Sequence, residues 1–338
     1  MLRNFRKDRC YIIAEIGGNF RRAEEGRRLI DDAVRCGVDA VKLQTFRADT
    51  VASKTAMFDM ENTGRTSQHA LFREYEIDHD LHREMFAYAA SKGLDWFSTP
   101  SHETDVELLD ELGVPAYKIG SDDAVNLPFL RYVAARGKPV ILSTGMCTME
   151  EVRESVAAIL AEGNRELMLL HAITSYPTHP EHVNLLAMQS MMREFPRLAV
   201  GYSDHTIGTT ACICAAAMGA RIIEKHFTYD KKAEGPDHML SADPREMQQI
   251  VDAVRGFERM RGDGAKRPAD SERTTRVNNR KSIVLARAVR AGEQLSRASL
   301  AVKRPGSGIA PKHYEQVLGR RAARDLPADE VLRWEDLQ

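Results

Sequence analysis

Val38 to Thr45 reads VDAVKLQT, an apolar run of strand length that carries Lys42 and Gln44 at its end. Seven further runs of this kind occur: YIIAEIG (Tyr11 to Gly17), LDWFSTP (Leu94 to Pro100), PAYKIGS (Pro115 to Ser121), KPVILSTG (Lys138 to Gly145), LMLLHA (Leu167 to Ala172), LAVGYSDH (Leu198 to His205) and ARIIEKHF (Ala220 to Phe227). Their content of valine, isoleucine and aromatic residues suits buried strands. Between them lie stretches with apolar residues at helical spacing: Arg28 to Val34, Leu81 to Tyr88, Val106 to Leu112, Met149 to Leu160 and Met247 to Phe257. Strands that alternate with helices build a parallel sheet, and eight of them close a (β/α)8 TIM barrel. An open doubly wound sheet is the alternative. No G-x-G-x-x-G follows the first run, which weighs against a dinucleotide-binding version of it.

The alternation predicts a barrel domain over residues 1–261. Residues 262–281 (GDGAKRPADSERTTRVNNRK) are polar and read as an exposed linker. Residues 282–338 form a small second unit with an internal repeat: ARAVRAGEQLSRASL (Ala286 to Leu300) matches ARDLPADEVLRWEDL (Ala323 to Leu337). Two copies of a strand-turn-strand unit packed on each other explain it; chance similarity between short turns is the alternative.

The chain has 338 residues, 43 % hydrophobic and 29 % charged, the composition of an ordinary globular protein. The formal net charge of −1 leaves no global field for nucleic acid or anionic membrane, so neither is expected as a partner. No apolar run approaches the roughly 20 residues that cross a bilayer. The charged N-terminus lacks a signal-like apolar core. Cys10, Cys36, Cys147, Cys212 and Cys214 form no CxxC pair. They read as reduced thiols of a cytoplasmic protein, without a structural zinc site.

Polar residues gather at the ends of the apolar runs: Glu15; Lys42 and Gln44; Ser98 and Thr99; Lys118 and Ser121; Ser143 and Thr144; His171; Ser203, Asp204 and His205; Glu224 and His226. In a parallel barrel all these ends lie on one face, where the active sites of such barrels are found. A buried Lys or Glu is costly unless paired or bound to a ligand. For Lys42, inside an apolar strand, a ligand anion is the natural partner. Lys42, Lys118, Thr99, Ser121 and Ser203 supply donors suited to a phosphate and a carboxylate. A lone histidine here would be a core hydrogen-bonder. His205 and His226 end neighbouring strands, with Asp237 nearby in GPDHM, and so can share a divalent ion. Few protein ligands and no cysteine favour Mn2+ or Mg2+.

The segments AEIGGN, VKLQT, FSTPS, YKIGS, ILSTGM, YPT, GYSDHT, EKHFT and GPDH, in that order, resemble the sialic acid synthase (N-acylneuraminate synthase) family. RKSIV and VKRPGSGI resemble its C-terminal antifreeze-like (SAF) domain, a small mainly-β clip. The resemblance covers nearly the whole chain. It implies that phosphoenolpyruvate condenses with an open-chain 2-acylamino hexose to a nine-carbon 2-keto sugar acid, releasing phosphate. It places Lys42, Thr99, Lys118, Ser121, Ser143, Ser203 and Arg280 or Lys281 around phosphoenolpyruvate, and His205 and His226 on Mn2+ or Mg2+. Glu15 contacts the sugar or moves a proton, and Asp123 positions water. Gln44, Tyr176 and Asp237 line the sugar site. Arg304 reaches the acylamino group from the tail domain, across a homodimer whose tails cap the partner barrels.

The sequence departs from the family pattern at Phe20, where His is common, at Asp123, where Glu is usual, and at Thr174-Ser175, where an Asn-containing pair precedes Tyr-Pro. These positions bear on the sugar and the water. An apolar Phe20 favours a deoxy or acylated substrate position. The competing readings are condensation with a phosphorylated aldose, which needs a second cationic pocket, and a non-catalytic saccharide-binding protein.

Overall fold

The computed structural model describes residues 2–338. It divides into two compact units, Met1–Arg261 and Gly262–Gln338. The first contains β1 (Tyr11–Glu15), β2 (Ala40–Thr45), β3 (Met57–Met60), β4 (Gly64–Ser67), β5 (Asp95–Pro100), β6 (Tyr117–Ile119), β7 (Val140–Ser143), β8 (Leu167–Ala172), β9 (Ala199–Asp204) and β10 (Ile222–His226). Eight of these form a closed barrel in the order β1-β10-β9-β8-β7-β6-β5-β2. Every pairing in it is parallel, and β1 meets β10 with Glu15 opposite His226. The sheet is therefore the expected (β/α)8 barrel, and its closure excludes the open alternative.

Local signals place the helices. Ala23–Cys36 stops at Gly37, whose φ of 76° is open to glycine at little cost. Met149–Ala161 starts at a capping box: the Thr148 hydroxyl accepts from Glu151 N–H, and the Glu151 carboxylate accepts from Thr148 N–H at 2.7 Å.

Along each strand the side-chain period of two sorts the residues. Ile12, Ala14, Val41, Leu43, Tyr117, Leu142, Leu169, Tyr202 and Ile223 face outward and pack with the helices in the main core. Tyr11, Ile13, Ala40, Phe97, Ile141, Leu170 and Ile222 face inward and fill the barrel. At the strands' C-terminal ends the inward series turns polar.

The chain between β2 and β5 holds an insertion absent from the expected pattern. A short helix (Ala48–Val51), the β3–β4 hairpin and the helix Gln68–Tyr75 precede the regular helix His79–Ser91. At the hairpin turn, Asn62 N–H donates to the Tyr176 carbonyl at 3.1 Å, and Asn62 Nδ2 donates to the Pro236 carbonyl at 3.0 Å. The hairpin is thereby tied to the loops that follow β8 and β10.

In the second unit, β11 (Ser282–Leu285) pairs antiparallel with β12 (Leu300–Lys303). Ile283, Leu285, Val289, Leu295, Leu300, Ile309, Val317, Ala322, Leu326 and Leu332 form its core. The repeat has a structural counterpart. Val289 and Leu326 exchange N–H···O=C bonds at 2.9 Å, and Gly292 (φ 76°) and Asp329 (φ 69°) occupy equivalent left-handed turn positions. Residues 262–281 are exposed, but not wholly irregular: Arg273–Asn279 is helical.

Candidate active site

The inward polar residues open into a cavity of about 460 Å³ at the strands' C-terminal ends. Lys42, Gln44, Thr99, Lys118, Ser121, Ser143, Tyr176, Ser203, His205, His226 and Asp237 all line it. This single space gathers side chains from most of the barrel strands and their loops.

Four buried charged side chains lie at and beneath its floor. Lys42 is ion-paired with Glu15 and donates to Thr99 Oγ1 at 2.9 Å. Lys118 donates to Ser143 Oγ at 2.7 Å and lies 3.7 Å from Glu224, which accepts from Ser203 Oγ at 2.9 Å. Burial pushes the Glu15 carboxyl up to about 7, against the opposing pull of Lys42. Burial pushes the Lys118 ammonium down to about 8, against Glu224. Burial also lowers Lys42, but Glu15 and Glu224 outweigh it and hold that ammonium above its ordinary value.

These contacts revise two expectations. Lys42 is paired with Glu15, so a ligand anion would add to an ammonium already held from below. Glu15 is fully buried beneath the cavity and does not line it. It accepts from Gly17 N–H at 2.6 Å, and a side chain on Gly17 would collide with that carboxylate and with Gln44. Glu15 thus sits beneath Lys42 rather than at the cavity surface.

Above the floor, His205 and His226 face each other with ring centroids 5.5 Å apart, and Tyr176 lies 4.2 Å from the His205 ring. His205 Nδ1–H donates to the Ile173 carbonyl at 2.6 Å, which leaves the Nε2 lone pair free. His226 Nδ1 is buried without a hydrogen bond, 3.5 Å from an Asp237 carboxylate oxygen. Burial pushes the His226 imidazolium far below its ordinary range, and that of His205 to a lesser degree, which favours the neutral ring a metal ligand needs. An orphaned buried nitrogen on one ring and a free nitrogen on the ring that faces it suit a divalent ion. Among the described residues no group of three or more His, Cys, Asp or Glu gathers for a metal.

Strand-end position alone over-selected residues. Ser98, Thr144, His171 and Asp204 face outward, as their place in the alternation requires. The Ser98 and Thr45 hydroxyls bond at 2.7 Å, Thr144 donates to the Leu170 carbonyl at 3.0 Å, and His171 Nε2 bonds the Val183 carbonyl at 2.8 Å. They tie strands to neighbouring segments. Asp123 is also displaced: its carboxylate accepts from Asn126 Nδ2 at 2.9 Å and is absent from the cavity lining, where Asp122 stands instead. Burial raises Asp123 to about 6 against that hydrogen bond. Phe20 is packed in the core with Met85 and does not line the cavity. Thr174 lines the cavity, while Ser175 turns away to the Pro177 carbonyl. Arg280, Lys281 and Arg304 are exposed in the second unit, where a side chain on Gly306 would meet Arg280.

The insertion supplies a wall that the sequence pattern did not reveal. Phe58, Met60, Leu71 and Phe72 line the cavity with Phe46 and Val51. Lys42 and Lys118 are the only lysine or arginine side chains among the described lining residues.

The model of the NeuB family matches residues 29–266, and that of the SAF domain matches residues 280–338. The chain is 40 % identical to N,N'-diacetyllegionaminic acid synthase of Legionella pneumophila, over 97 % of this chain and 95 % of that protein. It is 34 % identical to pseudaminic acid synthase of Campylobacter jejuni, over 99 % of each. The solved structure of N-acetylneuraminic acid synthetase from Leptospira borgpetersenii superposes with a TM-score of 0.71 at 29 % identity, covering 79 % of this chain and 90 % of that one.

Proposed function

The chain belongs to the NeuB family of sialic-acid-type synthases, and from that membership we propose its reaction in full: phosphoenolpyruvate condenses with an unphosphorylated, open-chain 2-acylamino hexose. The products are a nine-carbon 2-keto sugar acid and inorganic phosphate. The observation that carries this reading is the convergence of Lys42, Lys118, Ser203, His205 and His226 in one cavity.

Lys42 and Lys118, with Thr99, Ser121, Ser143 and Ser203, hold the phosphate and carboxylate of phosphoenolpyruvate. Gln44, Tyr176 and Asp237 orient the sugar above it. His205 and His226 hold Mn2+ or Mg2+, which when bound supplies Lewis-acid polarisation of the sugar carbonyl. C3 of phosphoenolpyruvate attacks C1 of the aldehyde, whose oxygen becomes a hydroxyl. Water adds to C2, and phosphate leaves with cleavage of its bond to C2. Asp122, which faces the cavity where Asp123 does not, positions that water. Glu15 acts from below by holding the Lys42 ammonium.

The apolar wall supports the choice of sugar. A sugar phosphate needs its own cation, and the lining offers no lysine or arginine beyond the two on the floor. Phe58, Met60, Leu71 and Phe72 suit deoxy and acylamino groups, as in a 6-deoxy diacetamido hexose. Phosphate release should be assayed against a panel of acylamino sugars. The diacetamido sugar should give the highest kcat/KM, and a clear preference for N-acetylmannosamine or for a sugar phosphate would overturn the assignment.

The active unit is a homodimer in which the antifreeze-like domain caps the partner barrel, Arg304 reaches the acylamino group, and Arg280 or Lys281 contributes to phosphoenolpyruvate. Exposed apolar residues support this: Val125, Met146, Leu186, Ile207 and Met239, 44–67 % exposed, lie on segments that follow β6 to β10 at the cavity end. Basic residues outnumber acidic ones in 262–338, and the reverse holds in 1–261. No helix among the described residues is long and apolar enough to cross a membrane, and the five cysteines are free, in keeping with a cytoplasmic enzyme.

Lys118 gives the reaction a basic limit. Its ammonium, facing Glu224, Lys42, Glu15 and Asp122, is charged below about 8 and neutral above. A neutral amine holds an anion poorly. The kcat/KM for phosphoenolpyruvate, which reports groups of the free enzyme, should therefore fall as pH rises through about 8. A profile flat from pH 7 to 9 (about one unit either side) would show that Lys118 does not bear on the ligand.

A further inference from the structure

Behind the cavity, on the outward side of the barrel, lies a fully buried ion pair with no contact to the site. Lys225 Nζ and Asp204 Oδ2 are 2.8 Å apart, and both side chains are 0 % exposed. The two residues are direct cross-strand partners on β10 and β9. Asp204 also accepts from Tyr202 Oη at 3.0 Å, Thr206 N–H at 2.9 Å, Thr206 Oγ1 at 3.1 Å and Cys212 Sγ at 3.3 Å. Lys225 further donates to the Thr206 carbonyl. Every contact converges on the turn Asp204-His205-Thr206 and on the residue before His226.

A buried ion pair is poor evidence of stabilisation, since apolar residues of similar volume often do as well. Its distinctive property is geometric: charged hydrogen bonds fix angles that apolar packing leaves loose. The need for such fixing is greatest at His226, whose Nδ1 makes no hydrogen bond. Its ring direction depends on the backbone of β10 and on contacts with Tyr176 and His205. His205 is anchored by Ile173, but its backbone sits between Asp204 and Thr206, and Thr206 is held by both Asp204 and Lys225.

We propose that Asp204 and Lys225 form a positioning clasp that sets the mutual placement of His205 and His226 for one divalent ion. This rests on the two-histidine metal reading. Thr206 is the third member, bound by both charged groups. The clasp touches neither substrate nor metal and acts only through the chain adjoining each histidine.

The test uses the full-length protein, freed of metal with a chelator and titrated with Mn2+ alone by calorimetry. The parent should bind Mn2+, and His226→Ala should abolish that binding; otherwise the two-histidine reading itself fails. With that established, the Asp204→Asn/Lys225→Met double variant should keep its circular dichroism and a cooperative melt but bind Mn2+ about 10–100-fold more weakly, the usual effect of losing an outer partner of a metal site. Unchanged Mn2+ affinity in the folded double variant overturns the clasp. Should that variant not fold, Thr206→Val removes one hydroxyl bond to Asp204 and nothing charged. A several-fold weakening is expected there, and unchanged affinity overturns the proposal equally.

Discussion

The His226→Ala protein is expected to fold as the parent does and to lose at least about 99 % of its turnover, because carbonyl polarisation by a Lewis acid is worth several kcal/mol and each 1.36 kcal/mol is tenfold. Folding should survive for a specific reason. His226 Nδ1 is buried without a hydrogen bond, so the native ring already bears an unsatisfied polar atom. Its removal relieves that cost and opens space continuous with the cavity, which water can fill. Chelator treatment of the parent should reproduce the loss, and added Mn2+ or Mg2+ should restore the parent alone. Full turnover in a preparation shown to be metal-free would refute the assignment of both histidines.

The second large effect concerns Lys42. Lys42→Met should weaken phosphoenolpyruvate binding by about 1.5–3 kcal/mol, the worth of a hydrogen bond to a charged group, or about 10–150-fold in Kd. Stability should change with pH in a defined direction. Glu15 is already raised to about 7 by burial, with Lys42 opposing the rise. Without Lys42 its folded pKa moves further up. A raised folded pKa favours the protonated form: its contribution is fully present below the unfolded value of about 4.3 and is lost as pH rises through the folded value. The variant should therefore match the parent most nearly at pH 5 and fall behind it at pH 8, on the order of one unit above the folded pKa of the parent's Glu15. Melting temperatures across that range, with calorimetry for the ligand, check both parts. A variant with unchanged affinity would make Lys42 a purely structural partner of Glu15.

The barrel and its functional face were legible in the sequence because both follow from periodicity. Eight strand-length runs separated by helical spacing have few other ways to pack, and polar ends in such runs demand a site. The runs held more information than strand-end position alone extracts. In ARIIEKHF, a period of two from Ile222 puts Glu224 and His226 inside and Lys225 outside. In LMLLHA the same period assigns Leu170 to the interior and His171 to the exterior. Asp122 and Asp123 lie past the end of β6 in a single 3-10 turn, where strand periodicity has ended and only the loop's course decides which carboxylate faces the cavity. The β3–β4 hairpin escaped notice because its strands, MFDM and GRTS, are four residues long and half exposed, too brief to establish a period. Phe20 looked like a specificity residue by its place after the first strand. Its ring instead finds the core under the helix Ala23–Cys36, which a linear motif does not reveal.

The four charges of the cavity floor bear on how the protein is made. Glu15, Lys42, Lys118 and Glu224 are two acids and two bases, each ammonium set against a carboxylate. A binding site built from cations alone would resist burial until its anion arrived, and folding would then be coupled to ligand supply. With each ammonium set against a carboxylate, closing this barrel does not have to await a bound anion.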